Sequence, residues 1–559
     1  MRTDEICSGK KQIIRYAIKS WLFAVLLVTL CLRGPAGNAV FAQDGEMAEN
    51  EAARTDHHGT CYEVFVYSFF DSDGDGIGDL NGLQQKLDYI QDGDPLDDTD
   101  LGCDMIWLMP VFPSPTYHKY DVTDYMDIDP AYGSLDTFDT LLLSCHERGL
   151  SVILDLPLNH TSVDHPWFRE AAAYLQSLGE TEEIDETACP CAGYYNFSRE
   201  QKAGYEPLPD SNWFYEARFW SGMPDLNLDS EAVREEIAQI TAFWLGRGVD
   251  GFRLDAVTYY YSEDKAQSIA FLSWLKQTVE EQKSGCYLVG EAWTDQDTYA
   301  SYYESGIDSL FDFAFAGQEG YIAALARGKR DASWYGTKLM EEEKLFASYG
   351  SGVINAPFYT NHDMARGAGY YTRDDGSRVK LAQALNLLMS GNAFLYYGEE
   401  LGMKGSGRDE NKRAPMYWSD DPTSEGMCQG PPEMEEIKHK YGSLAQQEAD
   451  PYSIYAYVRK AIHLRADYPA IAKGKTDMIT RLSGEDTCVL LKEAEGEETV
   501  LICINTGDEP ALIHLDGSAK SKAFTGLAAT LCVSDQEAEL DNMQLTLPSF
   551  GIAVLRKGE

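Results

Sequence analysis

Positive charge is scarce in this chain. Across 559 residues, 46 lysines and arginines stand against 91 aspartates and glutamates, a formal net charge of −45. A general nucleic-acid binder needs a basic footprint to displace counterions from phosphate, so that class is excluded. Long apolar runs are missing too. Only Trp21–Leu32 approaches membrane length, and a bilayer-spanning helix needs ~20 residues. The twelve cysteines include no second pair at ligand spacing, and Cys189-Pro-Cys191 is tighter than the C-x-x-C of zinc or redox sites. Cys286, Cys488, Cys503 and Cys532 sit in apolar, strand-like runs, where a free thiol behaves as a small hydrophobe; disulfide connectivity cannot be deduced. No internal repeat and no serine or cysteine nucleophile pattern is present. What the chain does have is 44% apolar and 12% aromatic residues, too hydrophobic for bulk disorder and long enough for roughly two to four domains.

Lys10, Lys11, Arg15 and Lys19 precede the apolar stretch, and a small-residue region ends at Val40-Phe41-Ala42. This is the order of a secretory signal peptide. Residues 1–42 are read as a leader cleaved after Ala42, which predicts an extracellular protein with no stable membrane insertion after cleavage. Residues 43–60 read as a flexible acidic linker, with His57 and His58 solvated.

From about residue 61, short β-rich runs alternate with helical patterns. The runs are Tyr62–Phe69, Met105–Met109, Val152–Leu156, Gly251–Leu254, Tyr287–Gly290, Ser309–Phe313, Val353–Tyr359 and Ala393–Tyr397. Ala232–Leu245 and Val379–Ser390 are helical patterns between them. Eight strands separated by helices predict an α/β fold, a (β/α)8 TIM barrel over 61–160 and 224–465. The gap 161–223 is too long for a plain loop and predicts a small domain inserted after the third strand. Alternating segments with Gly/Asp turns over 466–559 predict a C-terminal antiparallel β-sandwich domain.

Catalytic groups of such barrels sit at the C-terminal strand ends. Those ends here carry Asp155 with Asn159-His160, Arg253-Leu254-Asp255, Glu291-Ala292-Trp293 and Asn361-His362-Asp363. Clustered carboxylates without a serine or cysteine nucleophile suit glycosidic bond cleavage, which needs an acid on the leaving oxygen and a carboxylate at the anomeric carbon. Directly after the first strand, Asp71-Ser72-Asp73-Gly74-Asp75-Gly76-Ile77-Gly78-Asp79 alternates carboxylates with turn-forming glycines, an oxygen cage suited to Ca2+. Gly82 stands at the twelfth position, where an EF-hand would have Glu.

In that order, these strings resemble the α-amylase family of glycoside hydrolases (family 13), together with Gly102–Pro110 at the second strand and Met223-Pro224-Asp225-Leu226-Asn227 closing the insertion. The nearest resemblance is to secreted α-amylases of the subgroup intermediate between oligo-1,6-glucosidases and neopullulanases. The resemblance implies Asp255 as nucleophile, Glu291 as acid/base and Asp363 as the residue that bonds the distorted sugar. His160 and His362 would grip neighbouring hydroxyls, Arg253 would keep Asp255 ionised, and Tyr117 or Tyr120 would stack under the sugar. Asp155 would be structural. A calcium loop at this position in the family implies Asp71, Asp73, Asp75 and Asp79 as ligands, with the Ile77 carbonyl. A second family calcium uses the Asn of the Asn-His pair and a histidine after the nucleophile; Thr258-Tyr259 stand there instead, which puts that site in doubt. Ala256 after the nucleophile leans toward α-1,4-glucan hydrolysis, starch and malto-oligosaccharides being the expected substrates of a monomer. An exo-acting α-glucosidase or a 4-α-glucanotransferase would use the same residues.

Overall fold

The computed structural model describes residues 56–558 apart from 263, 372, 374 and 375; the expected leader and most of the linker lie outside them. Eight strands build the main sheet: β1 (Thr60–Val64), β2 (Met105–Leu108), β3 (Ser151–Leu156), β4 (Gly251–Leu254), β5 (Tyr287–Gly290), β6 (Ser309–Phe311), β7 (Ile354–Ala356) and β8 (Ala393–Tyr396). All pairs are parallel, in the order 7-6-5-4-3-2-1-8, and a Phe358–Phe394 bridge closes the ring. Side chains alternate across each strand. Cys61, Trp107, Ile153, Val289, Phe311 and Phe394 therefore fill the interior of the barrel. The same period turns Glu63, Asp155 and Arg253 inward. Gly251 is required by close approach: a Cβ there would meet the Tyr287 carbonyl oxygen at 2.0 Å.

Helices such as α1 (Glu231–Arg247), α2 (Ala332–Phe346) and α3 (Ser377–Leu387) follow the strands around the outside. The first expected strand stops early. Val66–Ser68 form a 3-10 turn that leads into the Asp-rich loop. Between β3 and β4, a helix (Pro166–Ser177) and a three-stranded antiparallel sheet (Phe197–Ser198, Tyr205–Pro207, Phe214–Glu216) make the inserted unit.

The C-terminal sheets begin at Lys475 rather than 466, because Ile454–Asp467 is a helix with a buried apolar face (Val458, Ala461, Ile462). Antiparallel sheets of five and three strands share a core of Val489, Leu501, Ile513, Leu545 and Leu555. The last two strands, Gln544–Leu547 and Ile552–Lys557, are separated at Pro548.

The end of the expected linker is not solvated. Asp56 pairs with Lys473 at 2.7 Å, and the His57 ring stacks on Tyr287 at 4.7 Å, so residues 56–59 seal the N-terminal end of the barrel. The ten described cysteines are free thiols, nine of them buried. No helix among the described residues is long and apolar enough to cross a membrane.

Candidate active site

Alternation along adjacent strands brings the strand-end charges to one place. Arg253 on β4 is 0% exposed and is laterally paired in register with Asp155 on β3. Its Nη1 donates to Asp155 at 2.9 and 3.0 Å and to Asp255 Oδ1 at 2.7 Å. Its Nη2 pairs with Glu291. One buried guanidinium thus stands between the nucleophile candidate, which it hydrogen-bonds, and the acid/base candidate, which it adjoins. Asp155 also accepts from the Tyr120 hydroxyl (2.9 Å) and Trp107 Nε1 (3.2 Å). Burial lifts it to about 6, against the pull of Arg253.

Asp363 completes the floor. Arg413 Nη2 donates to its Oδ1 at 2.8 Å, and His362 Nε2 lies 3.1 Å from its Oδ2. Above these groups opens a cleft of about 460 Å3, whose walls include Asp255, Glu291, Asp363, Tyr120, His160, His118 and Arg413. Phe219, Trp220, Tyr259 and Trp293 stand on its rim, each 41 to 52% exposed. Phe219 packs on Tyr259 at 5.1 Å, and Trp293 stacks on Phe313 at 5.2 Å. Flat apolar faces held open to solvent beside buried carboxylates suit a polyhydroxylated ring with two apolar faces.

Backbone strain borders the cleft. Lys119 (φ 66°) and Ala256 (φ 40°) hold left-handed conformations, each costing ~1–3 kcal/mol. Asn159 Nδ2 secures the second turn through the Asp255 and Ala256 carbonyls at 3.0 and 3.3 Å, and Lys119 Nζ is tied to Asp129 at 2.7 Å.

The expected substrate residues separate. Tyr120 is in the wall, whereas Tyr117 is behind it, its hydroxyl accepting from Arg413 Nη1 at 3.1 Å. His160 is in the wall: Nε2 donates to the Tyr120 carbonyl at 3.2 Å and Nδ1 is left without a protein partner. His362 is 0% exposed and has both nitrogens engaged within the protein, Nδ1 with Glu63 and Nε2 with Tyr120 and Asp363. His118, Arg413 and Trp293 were not singled out from sequence. His118 adjoins a tyrosine that was, and burial, with Arg413 nearby, holds it neutral, at about 4.

Comparison with known proteins decides the family. Residues 63–474 match the family model described as "Alpha amylase, catalytic domain". This chain belongs to the α-amylase family of glycoside hydrolases. Alpha-amylase 3 of Dictyoglomus thermophilum is 37% identical over 455 residues, covering 79% of this chain and 83% of that protein. Among solved structures, Eubacterium rectale Amy13B is 48% identical with a TM-score of 0.86, covering 90% of this chain and 96% of its own. The α-amylase from H. orenii is 35% identical with a TM-score of 0.77, covering 90% and 100%.

Metal ligation by this family member can be tested on its own residues. The carboxylates of Asp71, Asp73 and Asp79 offer oxygens within 4.8 Å of one another, with Asp71 6% and Asp79 8% exposed. That hard-oxygen donor set fits a metal ion. Asp75 falls outside the group, and its Oδ1 accepts the Ile77 N–H at 2.7 Å. The loop is tied to the segment after β8, with Asp71 N–H to the Gly426 carbonyl at 3.1 Å and Gln429 N–H to that of Gly76 at 2.8 Å. At the place of the doubtful second calcium, Asn159 Oδ1 and Asp225 Oδ1 have no hydrogen-bond partner, and burial lifts Asp225 to about 7. Arg218, paired with Glu216 at 2.7 Å, lines the same cleft, and its backbone N–H donates to Asp225 Oδ2 at 3.1 Å.

Proposed function

We propose that this chain hydrolyses α-1,4-glucosidic bonds in starch and malto-oligosaccharides with retention of configuration. The observation that carries this reading is the convergence of Asp255, Glu291 and Asp363 at the floor of an aromatic-rimmed cleft, around the Arg253 guanidinium that hydrogen-bonds Asp255. Asp255 Oδ attacks the anomeric carbon as Glu291 gives its proton to the leaving glycosidic oxygen. Glu291, now a carboxylate, takes a proton from water, whose oxygen displaces Asp255. Asp363 accepts from hydroxyls of the distorted sugar. The names of the relatives above support an amylase, and the half-exposed aromatics favour substrates longer than a disaccharide. Ca2+ in the Asp71–Asp79 loop would supply structural charge balance, held by Asp71, Asp73 and Asp79. Export through the N-terminal leader completes the reading.

The test is hydrolysis of soluble starch with calcium present, following iodine colour and reducing ends together, with Asp255→Asn as the blank. Early loss of colour with few new ends, absent from the blank, is expected. Colour that persists while glucose is released from maltose would instead make the chain an exo-acting α-glucosidase.

A further inference from the structure

Glu63 is a buried carboxylate that the proposed reaction does not use. It is 1% exposed on β1, between Trp107 and Tyr396 in the ring of strands. A carboxylate in such a place is costly unless paired. Its Oε1 lies 2.6 Å from His362 Nδ1. At the other end of the same imidazole, Nε2 is 3.1 Å from Asp363 Oδ2 and 2.7 Å from the Tyr120 hydroxyl.

The protons can be counted. Tyr120 has one, and its oxygen lies 2.9 Å from Asp155 Oδ2, which also accepts from Arg253 Nη1 and Trp107 Nε1, and 2.7 Å from His362 Nε2. Ionised carboxylates only accept. A neutral imidazole would turn a bare lone pair toward either Glu63 or Asp363. With N–H at both nitrogens, Nδ1 donates to Glu63, Nε2 donates to the Tyr120 oxygen and forms an ion pair with Asp363 Oδ2, and Tyr120 donates to Asp155. Three cations (Arg253, Arg413, His362) then face four carboxylates (Glu63, Asp155, Asp255, Asp363), leaving an anionic floor for a positively charged, oxocarbenium-like transition state.

We propose that Glu63 is a positioning residue for glycoside hydrolysis, holding His362 as a buried imidazolium that aims Asp363 at the sugar. This rests on the glycosidase reading of the cleft. Burial opposes charge on His362, but Asp363 and Glu63 outweigh it and lift the group to about 9. Asp363 is raised by burial and pulled far below the usual carboxylate range by His362, Arg413 and Arg253. The other groups facing the ring are Asp155 on β3, Tyr120, the edge-on Trp107 ring at 5.7 Å, and Arg413, whose Nε is 3.4 Å from the His362 carbonyl.

Glu63→Gln keeps the shape and an acceptor oxygen but removes the charge. With a malto-oligosaccharide, the alkaline limb of kcat/KM should fall by ~1–3 pH units relative to the wild type, and Glu63→Asp should restore much of that shift. A limb that coincides with the wild type's overturns the proposal. A second measurement needs neither turnover nor a folded Gln variant: nitrogen-15 spectra of the histidine-labelled wild-type chain. A doubly protonated imidazole signal that persists at about pH 8 and is lost in His362→Asn is expected; its absence overturns the proposal. If the wild type cleaves no malto-oligosaccharide, the glycosidase reading fails by itself, and the spectra still test the Glu63–His362 pair.

Discussion

Two sets of buried acids occupy the same rim of the barrel and solve the same electrostatic problem differently. At the ends of β3, β4 and β7, the carboxylates are paired with Arg253, Arg413 and His362 beneath an open cleft. Just past β6, Asp312 (0% exposed) hydrogen-bonds to Glu342 (3% exposed). Around this pair stand only neutral donors: Tyr299 at 2.8 Å, Asn355 at 3.0 and 3.3 Å, and Gln296 at 2.9 Å. No ion pair reaches either acid among the described residues. Without a cation the pair must keep a proton. Burial and Asp312 push Glu342 well above the usual carboxylate range. A cluster of acids is therefore not by itself a reactive site; side-chain cations and access to a cleft make it one. The Asp71–Asp73–Asp79 group is a third case: no ion pair reaches it among the described residues, and its balance is the proposed Ca2+.

The largest effect separates the first two clusters. Glu291→Gln should lower kcat/KM on starch by ~10²–10⁴-fold, and Asp255→Asn at least as much, whereas Asp312→Asn should turn over starch like the wild type. A steep loss in Asp312→Asn would erase the distinction. Next comes the metal. Chelation should lower the melting temperature, with saturating Ca2+ (about 100-fold over Kd) contributing ~2.7 kcal/mol. Calcium should have no effect on the melting of Asp71→Ala; an equal shift in that variant would place the ion elsewhere.

A smaller effect concerns the shared proton. The folded chain keeps on Glu342 a proton that the unfolded chain releases near its ordinary 4.5. Stability should thus fall as pH rises above that value, by up to ~1.4 kcal/mol per unit until the folded group itself titrates. Melting curves of Asp312→Asn should be flatter over this range, and parallel curves would contradict the shared proton. Smallest is the rim: Trp293→Ala should raise KM about tenfold, equivalent to ~1.4 kcal/mol, with kcat little changed.

Legibility in the sequence followed the range of the interactions. All eight barrel strands could be read because their apolar runs are local, and strand ends expose Asp155, Asp255, Glu291 and Asp363 in chain order. Glu63 carried a signal that was passed over: a lone charge in the alternating run Tyr62–Phe69, on the inward face. Arg413 reaches Asp363 from 50 positions away in sequence, and nothing local marks it. Whether His362 faces the cleft or lies beneath it depends on Glu63, 299 residues distant. Asp75 has the spacing of a ligand, yet the oxygens that lie within 4.8 Å of one another are those of Asp71, Asp73 and Asp79.

The central claim is that Asp255 and Glu291, which converge on one cleft, act by double displacement. Proton NMR of the first products from maltoheptaose tests it most directly, read before mutarotation equilibrates the anomers. Retention predicts that the α-anomer of the new reducing end appears first. If the β-anomer appears first, water attacks directly, Asp255 is not a nucleophile, and the account of the site is wrong.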